Sequence, residues 1–209
     1  MPLTTAREVL TVPKGSPEKA IQSPALEWLW KYLSDVPRPT ILDCGAAKPQ
    51  TVNVLLERCS KLHIADLISL LQSDPERFWD RSKKATRFLL DEFLARLPAI
   101  PPSTLDVILG WHLLDLLPRE VLPPLAAKLF AGLRPGGVFF CLLREAYLKN
   151  GANQVWWLED LTTLRASGDN ETQFPYPVVS GRDVERLVAG ISVKSFLTRS
   201  GRREVLVLK

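Results

Sequence analysis

Two acidic residues, each closing a short apolar run, offer the plainest chemistry in this chain. Pro39-Thr-Ile-Leu-Asp43-Cys-Gly45 is apolar up to Asp43 and then breaks at a glycine. Leu62-His-Ile-Ala-Asp66 closes in the same way, with Asp66 standing 21 positions beyond Gly45. A β-branched, apolar run broken by glycine reads as a buried strand ending in a tight turn. An acid about 20 residues past such a turn is where an open parallel sheet presents carboxylate oxygens to a ribose diol. The two strand ends would share one crevice, bordered by Asp43, Gly45, Ala46, Ala47 and Asp66. The same residues also suit a plain strand-to-helix turn with Asp66 capping the next helix, and both readings stand at this level.

The loop after Gly45 sets a limit. Ala46 and Ala47 carry methyl groups where further glycines would let backbone approach a ligand closely, and Pro49 has no N–H to donate. Binding in the micromolar range or weaker is expected. A third apolar run, Leu105-Asp-Val-Ile-Leu-Gly110, exits into Trp111 and His112, with Asp115 three residues on. Ligands gather at strand carboxyl ends, so Trp111 is expected beside the cofactor. His112 could serve as a base near neutral pH, with Asp115 orienting it; a structural histidine and a helix-capping Asp115 are the alternatives. Tyr147, Trp156, Trp157, Phe174 and Tyr176 would either wall a substrate pocket or pack the loop-rich stretch 144–180 in place, and packing is favoured.

These residues need a sheet to hold them. Ser23-Pro24 reads as an N-cap with proline at the first helical position, opening a helix to about Leu33. Residues 1–23 read as an irregular arm. A crossover helix is expected over 51–59, a turn of helix over 68–71, a helix start at Ser73-Asp74-Pro75-Glu76, and a longer helix from Arg81 to Leu97 on the spacing of Phe88, Leu89, Phe93 and Leu97. Pro118 starts another helix. Leu133-Arg-Pro-Gly-Gly137 turns into a strand over 138–143. After a short helix over 183–188, two β runs around Ser200-Gly201 form an antiparallel hairpin. The fold class is therefore α/β: an open, Rossmann-like, mostly parallel sheet with a C-terminal hairpin. The expected organisation is an arm and outer helix over 1–38 and the α/β domain over 39–209.

The chain has 209 residues, 46% hydrophobic and 24% charged, with a net charge of +4, which suits one sizeable core. The basic run Arg77, Arg81, Lys83, Lys84, Arg87 is followed by Asp91 and Glu92, so a solvated face accounts for it better than a nucleic-acid surface. Three cysteines without a C-x-x-C pair fit a reducing cytoplasm and give no metal site. No apolar stretch reaches the length of a membrane span.

Together these segments resemble the class I methyltransferases that use S-adenosylmethionine. Thr40 to Gly45 resembles their first motif in a form depleted to one glycine, and Leu62 to Leu67 the second strand with its ribose acid. Leu105 to Pro118 resembles the fourth-strand segment and Leu133 to Phe140 the turn into the fifth; the closing hairpin resembles strands six and seven. Phe174 to Pro177 with Gly181 to Asp183 is similar to a little-described bacterial branch. The resemblance implies S-adenosylmethionine as cofactor, an unassigned small-molecule or protein acceptor near Trp111 and His112, and the sheet order 3-2-1-4-5-7-6. No clear third strand ending in an acid stands between Asp66 and Leu105, so that strand is expected to be missing or very short. The alternative implied function is an inactive member serving as a protein-interaction module.

Overall fold

Leu105–Trp111 is apolar at almost every position because both faces of the strand are covered. All seven of its residues are buried, as a central parallel strand requires. In the computed structural model, which describes residues 20–82, 86–168, 171–188, 191–198 and 202–209, this strand (β6) lies at the heart of a six-stranded sheet. Its neighbours are β2 (Thr40–Asp43) and β7 (Leu133–Arg144), both parallel to it. Beyond β2 lies β3 (Lys61–Ile64), again parallel; beyond β7 lies β11 (Arg202–Leu208), antiparallel, and then β10 (Ser192–Leu197). The order β10-β11-β7-β6-β2-β3 is the expected one without its third strand, so that β3 is an edge among the described residues. The hairpin's tip, at Ser200 and Gly201, lies outside the described residues, as do residues 1–19 of the expected arm.

The first helix, α1 (Pro24–Tyr32), begins as expected: Ser23 accepts from the Leu26 N–H at 3.1 Å, and Pro24 takes the first helical position. Leu26, Leu29 and Leu33 form its buried face. Its N-terminus is tied to β11 through Glu204, which is 1% exposed and accepts from Ser23 Oγ at 2.8 Å and the Ala25 N–H at 2.9 Å. Just before it, β1 (Ile21–Gln22) pairs with β9 (Thr163–Ser167), which pairs with β8 (Val155–Leu158). Residues 20–38 are thus packed onto the same core as the sheet. At the foot of β6, Asp106 accepts from the Thr40 N–H at 2.6 Å and pairs with Arg134, which locks β2 to β6.

The crossover helix is α2 (Pro49–Arg58), and α3 (Leu67–Ser73) follows β3. The helix expected over 81–97 does not form. Trp79–Asp80 (β4) pairs antiparallel with Arg87–Phe88 (β5), and among the described residues of that stretch only Leu90–Leu94 (α4) is helical. The reason is local polar capture joined to aromatic packing. Asp80 takes the Ser82 N–H at 3.0 Å, an Asx turn that competes with helix, while Phe78, Phe88 and Phe93 pack on one another with centroids 5.2 to 6.0 Å apart. Ser73-Asp74-Pro75-Glu76 ends α3 instead of starting a helix, because the Asp74 N–H closes on the Leu70 carbonyl. After two short 3-10 turns comes α5 (Leu122–Gly132), with Pro123 and Pro124 in its first turn, where a missing N–H costs little. The last helix, α6 (Gly181–Leu187), opens with a reciprocal capping box between Ser180 and Asp183.

Replacing Glu204 with Ala leaves two buried donors unpaired. The expected loss is about 2–4 kcal/mol in urea unfolding; a loss under 1 kcal/mol would show that α1 is held by its apolar face alone.

Candidate functional site

The end of β2 and the end of β6 meet through a buried side-chain hydrogen bond beside the backbone bond from the Cys44 N–H to the Leu109 carbonyl. Asp43, 1% exposed, accepts on Oδ1 from Trp111 Nε1 at 2.6 Å and from the Gly45 N–H at 2.9 Å. Its Oδ2 is buried without a partner. Burial pushes the Asp43 carboxyl up to about 6, against the two hydrogen bonds, which favour the charged form; the charge of Asp66 adds to the rise. Trp111 is itself fully buried and sits at φ 48°, a left-handed conformation rare for a bulky residue. Such strain costs on the order of 1–3 kcal/mol and persists only where its surroundings fix it. Here the Asp43 bond and an edge-on contact with Phe140, 6.2 Å between centroids, do so.

Gly45 has a different use from the one its turn suggested. A Cβ there would lie 2.4 Å from Trp111 Nε1. The glycine is required by the indole lying against it, and its φ is not positive. Ala46 is buried and Ala47 exposed. Asp66 stands at the end of β3 next to this site, since the Ala65 N–H donates to the Asp43 carbonyl at 2.8 Å. It takes φ 41° and caps α3, accepting from the Ser69 N–H at 3.2 Å on Oδ1. It is half-buried, and its Oδ2 makes no hydrogen bond among the described residues. Lys48, the loop's one cation, lies 5.6 Å from the centre of the Trp157 ring.

The described residues of the stretch 144–180 are tied to α1 and to the helices that follow β2 and β3. The Leu158 N–H donates to Thr51 Oγ1 of α2 at 3.0 Å, and Trp30 Nε1 of α1 donates to the Leu161 carbonyl at 2.6 Å. Gln72 Nε2 of α3 donates to the carbonyls of Ala152 and Gln154 at 2.9 and 3.0 Å. Trp156 and Trp157 are each 6% exposed, so they pack the insert down, as does half-buried Phe174; Tyr147 is 72% exposed and walls nothing.

His112 and Asp115 are both wholly buried, but their side chains serve different partners. The His112 ring lies by Gln72, Nε2 to Nε2 at 3.4 Å. Burial and then the charge of Arg202 lower its pKa to about 3, so it is neutral at physiological pH. Asp115 accepts from the Arg144 N–H at 2.9 Å and faces two guanidiniums, Arg144 Nε at 3.7 Å and Arg202 Nη1 at 3.9 Å. Those guanidiniums flank Phe174, at 4.5 and 5.6 Å from its ring centre. Sequence reasoning missed this pair of arginines. The available signal was Arg144 breaking the apolar run 138–143; nothing marked Gln72. Among the described residues no group of three His, Cys, Asp or Glu could hold a metal, and no helix is long and apolar enough to cross a membrane.

No family model matches the sequence, and no curated protein does. Among solved structures, a Sulfolobus solfataricus protein described as a type 11 methyltransferase aligns with a TM-score of 0.50 at 14% identity, over 90% of this chain and 94% of its own. A Mesorhizobium loti S-adenosylmethionine-dependent methyltransferase aligns with a TM-score of 0.49 at 15% identity, over 89% and 99%. The Burkholderia thailandensis 1,6-didemethyltoxoflavin N1-methyltransferase, solved with S-adenosylhomocysteine, aligns with a TM-score of 0.47 at 17% identity, over 89% and 76%. The chain has the class I methyltransferase fold. The Sulfolobus likeness carries that statement, and it speaks of fold alone.

The raised Asp43 carboxyl has a measurable consequence. Below pH 6 the folded state takes up a proton that the unfolded state, near 3.8, does not yet hold. Asp43 therefore adds stability as pH falls from 7 to 4. Asp43→Asn keeps an acceptor oxygen and removes this linkage. The stability difference, wild type minus variant, is expected to rise between pH 7 and pH 5 in urea unfolding; a flat or falling difference would contradict the burial argument.

Proposed function

We propose that the protein is an S-adenosylmethionine-dependent methyltransferase with an unassigned small-molecule or protein acceptor. The observation that carries this reading is the pair of acids at adjoining strand ends: Asp43 with a buried, partnerless Oδ2 and half-exposed Asp66 with an uncommitted oxygen. A partnerless buried carboxylate oxygen calls for a donor, best a cationic one. A second carboxylate one strand over suits a vicinal diol. A nucleoside carrying an ammonium-bearing tail offers both, so the donor set fits this cofactor by its chemistry. Asp66 would hold the ribose hydroxyls, Asp43 the ammonium, with Ala46 and Ala47 bordering the ribose. The bound group would supply a sulfonium methyl for in-line displacement; the protein's own task is to hold donor and acceptor aligned and dry.

In this reading His112 and Asp115 hold the insert in place. The imidazole is neutral and enclosed, and the carboxylate is engaged by Arg144 and Arg202, so neither exchanges protons with an acceptor in this arrangement. Three buried, unpaired cysteines are consistent with a reducing cytoplasm. One observation favours the second reading, an inactive fold serving as a protein-interaction module: the indole of Trp111 fills the place beside Gly45.

Calorimetric titration separates the two. Binding of S-adenosylmethionine or S-adenosylhomocysteine is expected in the micromolar range or weaker. Asp66→Ala is expected to weaken it roughly tenfold or more, the worth of a charge-assisted hydrogen bond. Unchanged affinity in a folded variant removes Asp66 from the site, and no binding by wild type at millimolar ligand favours the interaction module.

A further inference from the structure

We infer that Trp111 is a gate: its indole occupies the part of the crevice meant for the ligand's cationic tail, so the nucleoside end enters freely while the tail enters only by displacing it. The inference rests on the cofactor reading above and deepens it. Three observations meet at this residue. The indole lies against Gly45, where even one added carbon would sit 2.4 Å from Nε1. Its N–H, 2.6 Å from Asp43 Oδ1, provides the kind of donor that a ligand ammonium would bring to the same carboxylate. Its backbone is held at φ 48°, a conformation that stores energy which a swing outward could release.

The surroundings make the closure selective for one half of the crevice. Asp43, Gly45 and Ala46 are buried, the first two against Trp111, whereas Asp66 and Ala47 keep exposed surface. A ligand with only a ribose end meets Asp66 without touching the indole. A ligand whose ammonium tail is to reach the buried Asp43 Oδ2 must first move the indole aside, which breaks the Trp111–Asp43 bond at Oδ1. The cost is one hydrogen bond to a charged acceptor, offset in part by relief at Trp111, and amounts to about tenfold in affinity. Trp111 is thus the residue that decides whether a tailed nucleoside is preferred over a bare one.

The test compares S-adenosylhomocysteine with adenosine on wild type, Trp111→Gly and Trp111→Phe. Glycine vacates the space and accepts a positive φ. Phenylalanine keeps a ring against Phe140 and loses the N–H donor with part of the indole's bulk, so it carries the comparison if the glycine variant fails to fold. The gate predicts S-adenosylhomocysteine bound about tenfold more tightly by Trp111→Gly, a smaller gain for Trp111→Phe, and equal adenosine affinity in all three. In ¹⁵N-labelled wild type, the Trp111 indole N–H should be protected from exchange when free and with adenosine, and lose that protection with S-adenosylhomocysteine. If S-adenosylhomocysteine binds all three equally, or binds with the indole still protected, the gate is overturned and the cofactor reading stands. If the variants bind it more weakly, Trp111 is a ligand wall and the gate is likewise overturned. If neither nucleoside binds any of the three, the cofactor reading falls and the gate falls with it.

Discussion

The hydrogen bond from Trp111 Nε1 to Asp43 Oδ1 joins the carboxyl ends of two neighbouring parallel strands, and much of the local structure follows from accommodating it. A large flat side chain must turn back from the end of β6 over the end of β2. It can do so only with a left-handed backbone at Trp111 and with no side chain at Gly45. Burying the indole buries the carboxylate as well. That desolvation raises the Asp43 carboxyl toward neutrality and leaves its second oxygen without a donor. Unpaired polarity and stored strain in one place are costs that folds tend to retain at working sites.

The insert is held by polar pins around an aromatic body. Gln72 of α3 and Thr51 of α2 reach it, and the guanidiniums of Arg144 and Arg202 lie at the Phe174 ring. Two guanidiniums and one carboxylate in a dry place are expensive to bury, and such a cluster contributes more to a unique arrangement than to net stability. Removing one member would leave the others uncompensated. The same cluster explains why His112 stays neutral: it is enclosed, and Arg202 lies near enough to oppose a second positive charge.

Among the described residues the sheet stops at β3, where a further strand would stand in the fuller version of this fold. The chain between α3 and β6 instead forms the small β4–β5 hairpin and α4 around the aromatic cluster of Phe78, Phe88 and Phe93. The edge is short, at four residues, and carries Lys61 and His63. Shortness and edge charge both discourage pairing with another chain.

Local pattern and spacing in the sequence determined the core strands and the closing hairpin, and the family resemblance implied their order. The apolar runs ended by Asp43-Cys-Gly45 and Gly110 are buried strands and the run ended by Asp66 is a partly exposed edge strand, all three parallel, and Ser23-Pro24 is a helix start by its own hydrogen bonding. Helical spacing over 81–97 misled, because Asp80 captures nearby backbone and the aromatic residues find one another across a hairpin. Only the tertiary structure decided what the site residues do. Gly45 looked like a turn glycine and is spared a side chain for an indole 66 positions along the chain; His112 and Asp115 looked like partners and each meets a different group, Gln72 and the Arg144 N–H. The physical reason is that periodicity and turn chemistry act over a few neighbouring residues. Filling a crevice and pairing a buried charge depend on side chains brought together from distant parts of the chain, and neither spacing nor composition encodes which of them will meet.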